Sequence, residues 1–169
     1  MSDGLITVVD EQDAPIGSAT KQEVWRVGLR HRTVRIIIQN DKGEILLQKR
    51  AKTKQPYPGR WDNSVAGHVD AGEDYLAAAN REISEETGGL DIPIKEIGYY
   101  KSDKTSSDGK ILNRYTKVYK GSSNDTPVNF PKDEIEEFKW FKVEEIKKLF
   151  SEHPETVTDG LRRVITDYF

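Results

Sequence analysis

Between Asp74 and Glu86 the chain reads DYLAAANREISEE, a run of helix formers closed by Gly88 and Gly89. Helices commonly end on a residue with positive φ, where glycine has no Cβ to clash. Segments with strand character lie on both sides of this helix. LITVVDEQDAPIG reads as two short strands about a turn, and TVRIIIQNDKGEILLQKRA as a hairpin turning at NDKG. PIKEIGYYKS and ILNRYTKVYKG flank a second turn, SSDGK, and EIEEFKWFKV gives one more strand. A helix with strands before and after it must cover a sheet, so the class is mixed, α/β or α+β. KQEVWRVGLRHR predicts a short helix, KTKQPYPGRWDNS a loop, and Val143–Phe150 and Asp159–Tyr168 two closing helices. A length of 169 residues suits a single domain over 1–169. Within it, about 1–32 form the N-terminal strands and short helix, 67–89 the central helical segment and 143–169 the C-terminal helices.

Composition narrows the functional classes. The net charge of −3 gives no electrostatic case for a nucleic-acid polymer as partner. With no cysteine, disulfides, thiolate nucleophiles and Cys-bound zinc are excluded. No apolar run approaches membrane-spanning length, and MSDGLITVVDEQ is too acidic for a signal peptide. The expectation is a cytoplasmic protein with no membrane partner.

The central helix carries an electrostatic oddity. At 3.6 residues per turn, Glu82, Glu85 and Glu86 fall within an arc of roughly 100°. Leu76, Ala79 and Ile83 occupy the adjoining arc and are expected to face the core. Like charges at these spacings repel, and the helix C-terminus disfavours anions. Arg81 is the nearby cation, yet its helical direction lies well off the carboxylate arc. Two readings fit: a solvated acidic helix end, or oxygen ligands gathered for a hard divalent cation.

The surrounding residues carry a resemblance. Gly67, Glu73, Arg81, Glu82, Ile83, Glu85, Glu86 and Gly88 fit the 23-residue Nudix signature, G-x5-E-x7-R-E-U-x-E-E-x-G-U with U apolar, at eight of its nine fixed positions. The departure is Gly89, where an apolar residue is usual; Leu90 is positioned to take that packing role. The resemblance implies a Nudix α/β/α sandwich with a mixed central sheet and the motif as a loop–helix–loop. It also implies hydrolysis of a nucleoside diphosphate linked to another moiety, with Mg2+ or Mn2+. By position, Glu82, Glu85 and Glu86 are the implied catalytic metal ligands, with the Gly67 carbonyl as a further one. Glu73 and Arg81 are the implied structural pair, although Glu73 could equally serve as a favourable anion at the helix N-terminus.

Outside the motif, VVDEQDAPIG, EVWRVGLRHR, LLQKRAKTKQPYPGRWDNSVAGHVDAGE and DEIEEFKWF resemble the branch close to isopentenyl-diphosphate isomerase. In that enzyme a cysteine precedes the motif histidine and two glutamates stand on a later strand. Here Val65 and Ala66 precede Gly67-His68, ILNRYTKVY holds no glutamate, and Trp25 stands near a metal histidine's place. The resemblance therefore implies a retained scaffold without the isomerase's acid–base pair. Arg50 and Lys54 match basic residues that hold a diphosphate in that branch, whereas Lys49, Lys52 and Arg60 read as solvated loop cations. Trp61 reads as packing rather than a base platform. His68 is either a substrate-binding or a structural residue, and His31 a structural one. One of Tyr99 and Tyr100 is expected to face a ligand. Candidates for the general base include Glu82 and its neighbours, Glu134, Glu136, Glu137, Asp103 and Asp108. The expected partner is a small-molecule diphosphate, and homodimers are common in the family. The main expectation is a pyrophosphohydrolase; the alternatives are an isomerase and a non-catalytic diphosphate sensor.

Overall fold

The computed structural model describes residues 4–169. Its strands are β1 (Leu5–Val9), β2 (Pro15–Thr20), β3 (His31–Gln39), β4 (Ile45–Arg50), β5 (Trp61–Asp62), β6 (Val65–His68), β7 (Ile94–Thr105), β8 (Ile111–Ser122) and β9 (Ile135–Phe141). Its helices are α1 (Lys21–Val27), α2 (Tyr75–Thr87), α3 (Val143–Glu152) and α4 (Asp159–Tyr168), with a 3-10 turn at Pro154–Thr156. The sheet is mixed. β3 and β8 run parallel over nine pairs, from His31↔Arg114 to Gln39↔Ser122, and the other strand pairings are antiparallel.

Strand alternation divides the buried residues between two layers. Val34, Ile36 and Ile38 of β3 pack with Tyr75, Ala78, Ala79 and Ile83 of α2. Ile37 of β3 and Val118 of β8 point to the opposite face, against Ile146 of α3 and Leu161, Val164 and Ile165 of α4. This is the expected α/β/α sandwich. A smaller cluster of Ile6, Val8, Ala19 and Val24 seats α1 on the first hairpin.

The expected hairpin 34–48 forms only at its tip. β3 and β4 pair through Ile38↔Leu46 and Gln39↔Ile45 alone. Beyond that point β3 takes β6 and β8 as neighbours, while β4 takes β5 and β9. Ser64 spans the opening: its hydroxyl accepts from the Ile38 amide at 2.8 Å and donates to the Leu46 carbonyl. The candidate site lies where the two arms part.

The central helix begins on Asp74, whose side chain accepts the Ala77 amide at 2.8 Å. It ends on Gly88 at φ 74°, with the Gly88 amide donating to the Ser84 carbonyl. Gly88 is doubly constrained, because a Cβ there would lie 1.9 Å from the Asn129 carbonyl oxygen. Leu90 packs on the α2 core, in the role expected of it. One expectation fails here: Leu76 is 49% exposed, and Tyr75 takes the core position instead. The buried stripe runs through Tyr75, Ala78, Ala79 and Ile83, rotated toward the sheet from the predicted arc.

Candidate active site

A cavity of about 280 Å³ opens between the arms of the sheet. One side is formed by the last turns of α2 and the backbone of β6, the other by β3, β8, the 51–60 loop and the start of α4. Gly67, His68, Arg50, Lys54, Arg81, Glu82, Glu85 and Glu86 all line it, so the sequence-derived candidates come together in one place. Gly88 caps the helix outside it, and Glu73 supports Arg81 from behind.

The carboxylates occupy unequal environments. Glu86 is 6% exposed; its Oε1 accepts from Gln48 Nε2 at 2.6 Å and from the Ala66 amide at 3.3 Å. Burial, and then the adjacent Glu82 charge, pushes Glu86 well above the ordinary carboxylate range. Burial pushes Glu82 up as well, while Arg81 pulls the other way. Glu85 is turned outward and exposed, with Oε2 3.2 Å from Arg81 Nη1. Thus a buried Glu86 and a partly buried Glu82 form an adjacent pair whose ionised forms repel.

Arg81 corrects the expectation drawn from its helical direction. Its Nη1 donates to Glu82 at 2.9 Å and to Glu85 at 3.2 Å. Nη2 reaches Glu73 at 2.7 Å and the His68 carbonyl at 2.9 Å, and Nε also donates to Glu73. The long side chain bends back along the helix, which a count of Cα directions misses. Glu73 in turn accepts the Asp70 amide at 2.8 Å, so the pair ties α2 to the loop before it.

Among the described residues no three carboxylates or histidines converge as a preformed metal cluster. The donors nevertheless fit a hard divalent cation. Glu82 and Glu86 supply oxygen only, and the hydrogen-bond partners of Glu86 from Gln48 and Ala66 are neutral N–H donors. Mg2+ commonly takes one or two carboxylates and completes its shell with water and substrate phosphate. Glu85 would have to leave Arg81 to join them.

Across the cavity the wall is basic. Asp62, 3% exposed, stands 3.6 Å from Arg35 and 3.4 Å from Arg50. Burial raises its carboxyl, but the two guanidiniums and the Asn63 backbone and side-chain donors more than offset this. Lys54 pairs with Glu134 at 3.2 Å. Arg35, Asp62, Tyr57 and Arg114 were not singled out from the sequence. Their signal was an alternating strand and a proline loop, and such patterns are ordinary.

Several assignments sort themselves by position. Glu134 lines the cavity, whereas Asp103 pairs with Arg30 and Asp108 with Lys110, and neither belongs to the lining. Tyr99 bonds Asp13 and Tyr100 is buried in the α4 layer, and neither lines the cavity. Trp61 packs edge-on to Phe141 at 4.9 Å. Arg60 is not simply solvated: its guanidinium lies over the Tyr57 ring at 5.1 Å. His31 is fully buried, with Nδ1 2.9 Å from the Leu29 carbonyl, and its ring stacks on His68 at 5.6 Å. Trp25 also borders the cavity, 5.9 Å from the His68 ring.

The sandwich and its carboxylate-bearing loop–helix–loop are those of a Nudix domain. A family profile described as NUDIX domain matches residues 29–163, and the chain belongs to that family. An isopentenyl-diphosphate Delta-isomerase 2 of Photorhabdus laumondii is 34% identical over 96% of this chain and 91% of its own length. An uncharacterized Nudix hydrolase of Pseudomonas aeruginosa is 36% identical over 83% of this chain and 79% of its own. In fold, the crystal structure of DR0079 from Deinococcus radiodurans is similar at a TM-score of 0.82, with 22% identity, covering 98% of this chain and 99% of that one. The branch resemblance seen in the sequence is thus shared with proteins named for two different reactions.

Proposed function

We propose that the protein is a Mg2+- or Mn2+-dependent pyrophosphohydrolase that cleaves a diphosphate bond in a small molecule by attack of water at phosphorus. The observation that carries this reading is the adjacent Glu82–Glu86 pair lining one cavity with Arg50 and Lys54. Bound there, the divalent ion would polarise phosphoryl oxygens and acidify a water. Glu82 and Glu86, with the Gly67 carbonyl, would hold it, and Glu85 would complete the set. Arg50 offers a planar fork and Lys54 a mobile point charge to the departing phosphate. Glu134 sits beside Lys54 in the lining and, of the candidates later in the chain, would accept the proton of the attacking water.

Relatives named isopentenyl-diphosphate isomerases favour a second reading. Ala66 at the cavity wall has no thiol, and β8 presents Arg114 there instead of a carboxylate. Neither group can shuttle a proton to and from an allylic carbon. The test is phosphate release from nucleoside di- and triphosphates, nucleotide sugars and dinucleoside polyphosphates, with and without Mg2+. Metal-dependent product on any of them supports hydrolysis. Turnover of isopentenyl diphosphate would replace it with isomerase chemistry, and binding without turnover across the panel would make the domain a sensor.

A further inference from the structure

The basic wall holds more positive charge than it neutralises. Asp62 is shared between Arg35 and Arg50, and Glu134 answers Lys54. Arg114 is left over: among the described residues its side chain makes no hydrogen bond or ion pair, and its Nε is buried without a partner. Arg35 and Arg50 also bury an unpartnered Nε each. Burial, and then the neighbouring Arg35 charge, pulls the Arg114 guanidinium down to about 10. A partly buried cation with no ion-pair partner is costly, and folded proteins rarely keep one idle.

The fold goes to some length to keep these groups in place. Arg114 lies on β8 directly across the parallel register from the buried His31, and Arg35 lies four residues further along β3 on the same face. Arg35 is 7% exposed and is backed by the first turn of α4 at Gly160. A Cβ on Gly160 would come within 2.4 Å of the guanidinium carbon. The same helix points its positive end at this wall, with Thr158 as its N-cap. The wall is therefore an arginine pair on a rigid sheet, opening into the same cavity as the carboxylates but on its opposite side.

The geometry points to a second anion subsite at Arg35 and Arg114, so that the ligand is a diphosphate whose organic moiety bears a further phosphate or carboxylate. This deepens the hydrolase reading and rests on it for the diphosphate end alone. The diphosphate would span Arg50 and Lys54 toward the acidic pair, while the distal anion would reach the wall. Arg114 would be the specificity-determining contact, since its side chain makes no ion pair that a ligand would have to displace.

The experiment compares two probes that differ in the distal anion: 5-phosphoribosyl 1-diphosphate, which has one, and isopentenyl diphosphate, which has none. Binding is measured calorimetrically without divalent metal, so that neither probe is turned over, first with the wild-type protein and again with Arg114→Met. The expected result is a loss of at least about tenfold for the phosphoribosyl probe and no change for the isopentenyl probe. Equal loss for both would make Arg114 part of the common diphosphate grip and overturn the proposal; no loss for either would overturn it too. Thermal melting of the ligand-free protein checks folding. Arg114→Met should raise the melting temperature, as expected when a partly buried charge with no ion-pair partner is removed, whereas a lowered melting temperature would mark Arg114 as a structural cation and sink the subsite. Failure of hydrolysis itself is read separately, as absent phosphate release by the wild-type protein, and leaves the difference between the probes interpretable.

Discussion

A Cβ placed on Gly67 would lie 2.2 Å from the carboxyl carbon of Glu82, so the helix carboxylate rests against β6 only because that strand has no side chain there. Gly67→Ala must move the Glu82 head, which is cheap for a flexible side chain and expensive for a positioned ligand. Stability should change by less than about 1 kcal/mol. Hydrolysis should fall by about 100-fold, the usual consequence of displacing a reacting group by an ångström. Chemical denaturation and steady-state kinetics on the same preparation separate the two.

Glu86→Gln keeps the shape and the Gln48 contact but removes a buried charge. Because burial and Glu82 raise the folded pKa of Glu86, its ionised form weakens the fold near neutral pH. The metal-free variant should therefore be more stable than wild type, by about 1 kcal/mol. Mg2+ should reverse the order: wild type gains melting temperature with added metal and the variant does not. Turnover should drop by about 100-fold or more. A variant that still melts higher with Mg2+ would remove Glu86 from the metal site.

Arg81→Lys tests the knot behind the carboxylates. The guanidinium serves Glu73, Glu82, Glu85 and the His68 carbonyl at once, and an ammonium cannot present that fork. Its partial exposure moderates the expected cost to about 2 kcal/mol. Activity should fall further than stability alone explains, because Glu82 and the 69–73 loop both lose their anchor. Urea denaturation and the Mg2+ dependence of kcat supply the two measurements.

The legible part of this protein was what depends on near neighbours. Asp74, the apolar spacing and Gly88 act within a few residues, so the helix ends are where the sequence puts them. The Nudix spacing likewise lies within one loop and one helix, and Gly67, Arg81, Glu82, Glu85 and Glu86 of it do line one cavity. What stayed hidden depends on partners far along the chain. Arg114 reads as one member of an alternating strand until β8 is seen to run parallel to β3, which places it opposite His31. Leu76 falls on the apolar arc of the helix taken alone, but the sheet covers the side of Tyr75, whose hydroxyl donates to Asp13 at 2.7 Å. The hairpin after Val34 was visible, but its opening beyond two pairs is set by β6, β8 and β9 competing for its arms.

His31 gives the protein an acid-sensitive side. Burial lowers its pKa from 6.5 to about 4; the Leu29 carbonyl opposes this, and Arg114 and Arg30 reinforce it. His68, stacked on the ring, is itself held neutral by burial. Since the folded value lies below the unfolded one, the unfolded chain binds more protons between pH 4 and 6.5. Stability from this group is complete above pH 6.5, declines as the pH falls through that window and is gone below about 4. The full span is worth about 3 kcal/mol. His31→Asn keeps a donor for the Leu29 carbonyl and removes the titration. Its unfolding free energy should therefore be flatter with pH across this window than that of wild type, with the curves compared by urea denaturation at closely spaced pH values. Parallel curves would show that His31 takes up no proton on unfolding.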